Sequence, residues 1–143
     1  MIIYEATIAY NKVGSISAAS LDQPHLVELY MKDAFLQHPL QEQVFVIMLN
    51  RKNIPMARER VSLGSATGTM VDPSIVFRPA ILAGATAIIL CHNHPSGDPA
   101  PSQADLTVTS KIVKAGEILS ITVQDHVIIG DDRYYSFSEH GLL

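Results

Sequence analysis

His92-Asn93-His94-Pro95-Ser96-Gly97-Asp98-Pro99-Ala100-Pro101-Ser102-Gln103-Ala104-Asp105 sets two imidazoles one residue apart and a carboxylate a fixed loop later. In an extended segment residues i and i+2 project to the same face, so His92 and His94 can each aim a ring nitrogen at a common centre while Asn93 faces away. Pro95, Gly97, Pro99 and Pro101 favour a reversal of the chain that brings Asp105 back as a third ligand. Two neutral imidazoles and one carboxylate are the ligand set of a hydrolytic zinc site, which keeps a fourth position for water; structural zinc is usually closed by four ligands, often thiolates. The one cysteine, Cys91, would point to the opposite side of the segment and reads as a buried strand end.

An HxH pair alone is weak evidence, since two histidines on an exposed loop need bind nothing. Ser102-x-x-Asp105 also has a purely structural reading: a serine N-cap with an acidic residue at N3 resembles a capping box, although Glu or Gln is the usual partner. The two readings are compatible, because a capping Ser and a first-turn Asp can both face a cation beside the loop.

Outward from this stretch, strands and helices alternate without repeats or low-complexity tracts. Ala85 to Cys91 is the strand that delivers the histidines, and a helix begins at Ser102 and runs from Asp105 to about Glu117. Upstream, Ile3 to Tyr10 alternates weakly and predicts a first strand. Asp22 and Pro24 start a helix that the apolar spacing carries to about Gln37. Val44 to Leu49 is a continuous β-prone run, expected to be buried on both faces, and Ile54 to Leu63 returns from the turn at Asn50-Asn53 as a hairpin. Gly64 to Gly68 is a loop beside the cleft. Asp72-Pro73 caps a helix to Leu82 or Ala83, with Pro79 expected to kink it or keep it short. Ile121 to Ile129 and Tyr134 to Phe137 complete the strands. The expectation is an α/β sandwich of one domain, a mixed central sheet flanked by helices.

Composition sets the bounds. A chain of 143 residues that is 48% apolar and 17% charged can bury a core without staples. No apolar run approaches a membrane span, Met1-Ile2-Ile3-Tyr4-Glu5 lacks the basic start of a signal peptide, and a lone cysteine suits a reducing compartment, so a cytoplasmic location is expected. A net charge of −4 argues against a general nucleic-acid binder. Arg51, Lys52, Arg58 and Arg60 could form a small basic patch, but a solvated hairpin is the favoured reading.

The string HxHP, six residues, then SxxD resembles the signature of the JAMM (JAB/MPN) metalloprotease superfamily. The wording HNHPSGDPxPSxxD is similar to its RadC-like branch in particular. The resemblance continues in Gln41-Glu42 with the apolar run to Leu49, Leu63-Gly64-Ser65, Val76-Phe77-Arg78-Pro79-Ala80-Ile81-Leu82, Asp125-His126-Val127-Ile128-Ile129-Gly130, and Tyr135-Ser136-Phe137 to Gly141. It covers the chain from about Asp22 to the C-terminus. One departure is visible: the Pro-Arg-Glu that often opens the middle helix in this branch is Pro73-Ser74-Ile75 here. The resemblance implies a single RadC-like JAB/MPN domain over residues 1–143, without the N-terminal helix-hairpin-helix region of longer members, with Zn2+ held by His92, His94 and Asp105.

Zinc lowers the pKa of its water to roughly 7, and a nearby carboxylate can take the proton and return it to the leaving group. Glu42 is the candidate, since it opens a strongly apolar strand and matches the position of the JAMM acid/base glutamate. Glu59, between Arg58 and Arg60, is the second candidate, with a surface ion pair as its simpler reading. Asp98 is explained by turn chemistry. By the same resemblance, the Ser102 hydroxyl supports the oxyanion or orients the water. His25, His38 and His140 read as solvated. Asp125 and His126, adjacent on a strand, must face opposite sides; core or loop structure is favoured over support of the metal ligands, which remains the alternative.

Three functions follow as expectations. The first is a zinc metallohydrolase acting on amide or isopeptide bonds of a peptide or protein, with Glu42 as acid/base. The second is a metal-dependent nuclease or DNA-repair accessory protein, and the third a non-catalytic binding domain. Substrate identity and oligomeric state are left open by the sequence.

Overall fold

Two runs of seven buried residues, Gln43–Leu49 and Ala87–Asn93, lie side by side at the centre of a five-stranded sheet. The structure is a computed structural model that describes residues 1–14, 20–64 and 71–143. In chain order these carry α1 (Pro24–Met31), β1 (Gln43–Leu49), β2 (Pro55–Leu63), α2 (Pro73–Leu82), β3 (Ala87–Asn93), α3 (Gln103–Leu119), β4 (Thr122–Ile129) and β5 (Tyr134–Ser136). The strand order is β2-β1-β3-β4-β5; only β3 and β4 run parallel, joined through α3, so the sheet is mixed. Unbroken apolar sequence suits strands covered on both faces, as the runs Val44–Leu49 and Ala87–Cys91 are here.

Strand alternation sorts the interior into two cores. Val44, Val46, Met48, Ile88 and Leu90 pack with Val76, Phe77 and Ala80 of α2 and Ile112 of α3. Phe45, Ile47, Leu49, Ile89 and Cys91 face the other way, onto Val27 and Met31 of α1 and onto Phe35. A fully buried side chain of this size contributes roughly 1.5–3 kcal/mol. The two cores can therefore offset the cost of drawing the polar His92, Asp105 and His126 inside.

Most predicted elements are present with boundaries moved by a residue or two; three expectations need correction. Ile3 to Tyr10 forms no strand: residues 1–14 are exposed and outside the sheet, because period-two alternation without a ladder partner does not make a strand. The first helix stops at Met31 instead of reaching Gln37. Beyond Met31 the bonds tighten into i+3 turns, with Ala34 N donating to Met31 O at 2.9 Å and His38 N to Phe35 O at 3.2 Å, and Pro39 has no N–H to continue them. The chain instead turns, and the Gln43 side chain donates to Phe35 O at 2.9 Å and to His38 O at 3.0 Å.

The third correction concerns the basic residues. Arg51, Lys52 and Arg60 are exposed, as a solvated hairpin requires, and only Arg58 departs from it: it is half-buried, donates to Tyr30 O at 2.9 Å and lies over the Tyr30 ring. Arg60 donates to Gln43 Oε1 at 3.4 Å. The second helix is capped by Asp72, which accepts from Ser74 N at 3.0 Å, and it runs through Pro79 as a ten-residue piece. Of the predicted loop Gly64 to Gly68, all but Gly64 lies outside the described residues. No helix among the described residues is long and apolar enough to cross a membrane.

Candidate metal centre

The even-numbered face of β3 that carries Ile88 and Leu90 into the core with α2 and α3 ends on His92, in register with Val44 of β1 and Ile128 of β4. His94 follows just beyond the strand, its N–H bonded to Ile129 O at 2.9 Å. Their Nε2 atoms lie 3.0 Å apart. Asp105 reaches the same point from the first turn of α3, with Oδ1 3.3 Å from His92 Nε2 and Oδ2 3.6 Å from His94 Nε2. Glu42, the residue before β1, brings Oε1 to 3.8 Å from His92 Nε2. One ligand atom from each of Glu42, His92, His94 and Asp105 falls within 4.8 Å of the others. Glu59 is not in this group: it is exposed and opposite Val46, further along the sheet.

The start of α3 makes Asp105 rigid. Ser102 Oγ accepts from Asp105 N at 3.1 Å, while Asp105 Oδ2 accepts from Ser102 N at 2.7 Å and from Ser102 Oγ at 2.6 Å. The capping box is thus complete, with Asp in the place of the usual Glu. The serine hydroxyl has one proton, and it is directed at Asp105. The loop between the ligands is equally fixed: His94 Nδ1 donates to Asp98 O at 2.8 Å, and Gly97 O accepts from Asp131 N at 2.9 Å.

Electrostatics suit a cation. Burial drives the pKa of His92 far below the ordinary histidine value, with the neighbouring His126 adding to the effect, so its ring is neutral. The hydrogen bond with Asp105 raises His94, against partial burial. Burial works against the Asp105 carboxylate, but His94, His92 and the two Ser102 donors overcome it and hold its pKa below the usual carboxylate range. In the neutral ring His94 Nδ1 carries the hydrogen given to Asp98 and Nε2 turns a lone pair toward His92 and Asp105; only the protonated ring also donates from Nε2 to Asp105. Imidazole nitrogens and carboxylate oxygens converging on one point fit a divalent metal.

Three further residues support these four. Asn93, on the opposite face from His92, accepts from Gln43 N at 2.8 Å and donates to Gln41 O at 3.1 Å, gripping the backbone on both sides of Glu42. His126 Nε2 lies 2.8 Å from His92 Nδ1, and Thr109 Oγ1 lies 2.6 Å from His126 Nδ1. The favoured core reading of His126 is therefore incomplete, as the ring is buried and also bonded to His92. Asp125 does face away, accepting from Ser136 Oγ at 2.6 Å and Ser138 N at 2.9 Å. Thr109 was not singled out in the sequence, although its i+4 spacing from Asp105 puts both on one helix face.

A family model described as the RadC-like JAB domain matches residues 21–142. The chain belongs to that family. Among curated relatives, a UPF0758 protein of Flavobacterium johnsoniae is 44% identical over 117 residues, 78% of this chain and 51% of the relative. One from Caldanaerobacter subterraneus subsp. tengcongensis is 47% identical over 116 residues, covering 81% of this chain and 49% of the relative. A third, from Clostridium acetobutylicum, is 48% identical over 103 residues, 72% and 45% of the two chains. The RadC-like JAB chain thus spans about half the length of the curated relatives it matches, and their shared name specifies no chemistry. The resemblance carried by HNHPSGDPxPSxxD is borne out at the level of family and fold.

Proposed function

We propose that this RadC-like JAB domain is a zinc-dependent hydrolase that cleaves amide or isopeptide bonds of a peptide or protein substrate. The reading rests on the convergence of Glu42, His92, His94 and Asp105 within 4.8 Å. His92, His94 and Asp105 would hold the ion. Bound there, Zn2+ supplies Lewis acidity that lowers the pKa of water to about 7 and polarises a carbonyl.

The exposure of the four side chains supports a division of labour. His92, Asp105 and His94 are 2%, 9% and 15% exposed, whereas Glu42 is 23% exposed and sits at the rim. Glu42 is thus the group a substrate can reach, and we assign it the proton transfer: Oε1 accepts a proton from the attacking water and returns it to the leaving nitrogen. Proton transfer of this kind is worth on the order of 10²–10⁴ in rate. Ser102, whose hydroxyl proton is engaged by Asp105, orients that carboxylate. The net charge of −4 supports a peptide substrate over nucleic acid.

The test pairs metal analysis with substrate assays. Purified wild-type protein should carry or take up one equivalent of zinc, and His94→Ala and Asp105→Ala should lose it; unchanged zinc content in both variants would sink the metal assignment. Glu42→Gln should keep zinc and lose peptide or isopeptide hydrolysis. Cleavage of single- or double-stranded DNA that Glu42→Gln abolishes, with no peptide hydrolysis, would reassign the substrate to nucleic acid.

A further inference from the structure

The polar chain behind His92 has a direction, readable from its far end. The main-chain carbonyl of Asp105 can only accept, so the Thr109 hydroxyl, 2.6 Å away, spends its one proton there. Thr109 Oγ1 must then be the acceptor in its 2.6 Å contact with His126 Nδ1, which carries the hydrogen. A neutral imidazole has a single N–H. His126 Nε2 is therefore a lone pair, and at 2.8 Å it accepts the hydrogen of His92 Nδ1. That leaves His92 Nε2 as a lone pair as well. It faces His94 Nε2 at 3.0 Å, whose ring hydrogen is committed to Asp98 O. Two lone pairs at that distance are reconciled by a positive charge between them, either a proton on His94 Nε2 or a metal ion.

We propose that Thr109 and His126 are positioning residues: a two-step hydrogen-bond relay from the α3 backbone that locks His92 in the tautomer whose Nε2 lone pair faces His94, Asp105 and Glu42. The inference rests on the metal reading above and adds to it where the selection of that tautomer comes from. His92 and His126 are each 1% exposed and Thr109 is fully buried, so water cannot substitute for a missing link. The relay begins at the carbonyl of Asp105 and ends on His92, coupling two of the three proposed ligands through atoms that touch no metal. An outer partner that fixes a ligating imidazole is worth about 10–100-fold in metal affinity when removed.

His126 also stacks on Phe137, with ring centroids 4.6 Å apart, so a packing role must be separated from a positioning one. Thr109→Val does this, since it keeps shape and removes the hydroxyl. Long-range nitrogen–proton NMR correlations of the imidazole rings in metal-free wild type should show hydrogen on Nδ1 of both His92 and His126. In Thr109→Val the His126 hydrogen should move to Nε2 and invert His92, and Zn2+ affinity measured by chelator competition should fall about 10–100-fold; Thr109→Ser should restore both. Hydrogen on Nε2 of His92 in the wild type would overturn the relay, as would a folded Thr109→Val protein with wild-type affinity. If Thr109→Val does not fold, the wild-type ring spectrum decides. A wild type that binds no Zn2+ defeats the proposed function, and the same spectrum then decides the relay by itself.

Discussion

At Asp105 one carboxylate oxygen is taken up by two donors from Ser102 while the other faces His92 at 3.3 Å. The same side chain closes a helix N-terminus and points a ligand atom into the site, so the two roles cannot be varied independently. Ser102→Ala removes the cap acceptor and one of those donors together. Stability should fall by about 1 kcal/mol, the usual cost of losing a serine cap, and Zn2+ affinity should weaken with it. Ser102→Thr should keep both. Urea unfolding and chelator competition on the two variants provide the check, and a lowered midpoint with unaltered affinity would confine Ser102 to capping. The spacing Ser102-x-x-Asp105 made this double use legible, because both roles depend on a local i, i+3 relation. Thr109 was not legible as a support, and His126 was legible only as the less favoured alternative. Their contacts arise only once α3 lies beside β4 and β4 pairs with β3 in parallel, in a register that places His126 opposite Leu90.

Among the elements, the loop leaving β3 depends on the turn between β4 and β5. Gly130 donates to Arg133 O at 2.9 Å, and a Cβ there would run into Gly97 O and come within 2.8 Å of Pro99 Cδ. The obstacle is the backbone of the segment that holds His94, not a flexible side chain that could swing aside. Gly130→Ala should therefore cost on the order of 1–3 kcal/mol as an overpacked site, and should also weaken Zn2+ binding because the His94–Asp98 segment has to shift. Gly14→Ala, with nothing within 4 Å of its added carbon, should leave both unchanged. Thermal melts and zinc titrations of the pair would show it, and equal effects at the two positions would refute the argument. This dependence could not be read from sequence, where the close approach of residues 97 and 130 leaves no local trace. The early end of α1 was not legible: Pro39 lies too far along the chain to stop a helix at Met31, and only the fold reveals that Gln43 anchors the turns that follow.

On the scale of the whole molecule, one alternation governs both cores and the site. The face of β3 that bears Ile88 and Leu90 continues into His92, and the face that bears Ile89 and Cys91 continues into Asn93. Odd and even positions thus separate the candidate ligands from the grip on Glu42; that Asn93 faces away from His92 followed from the HxH spacing, and its hold on the backbone around Glu42 did not. The Cys91 thiol lies on the α1 side, fully buried, with its pKa pushed far up by burial. A thiol reagent added to the native protein therefore has nothing to attack until α1 lifts from the sheet or β3 leaves it, and each labelling event records such an opening one peptide away from His92. Where opening and closing are fast relative to labelling, the rate follows the open population, so a ligand at 100 times its Kd should slow it about 100-fold. Labelling that proceeds at one rate with and without Zn2+ would mean that the ion does not oppose the opening that exposes Cys91. The lone cysteine thereby turns the protein into its own covalent recorder of metal occupancy, readable by mass alone and requiring no substrate.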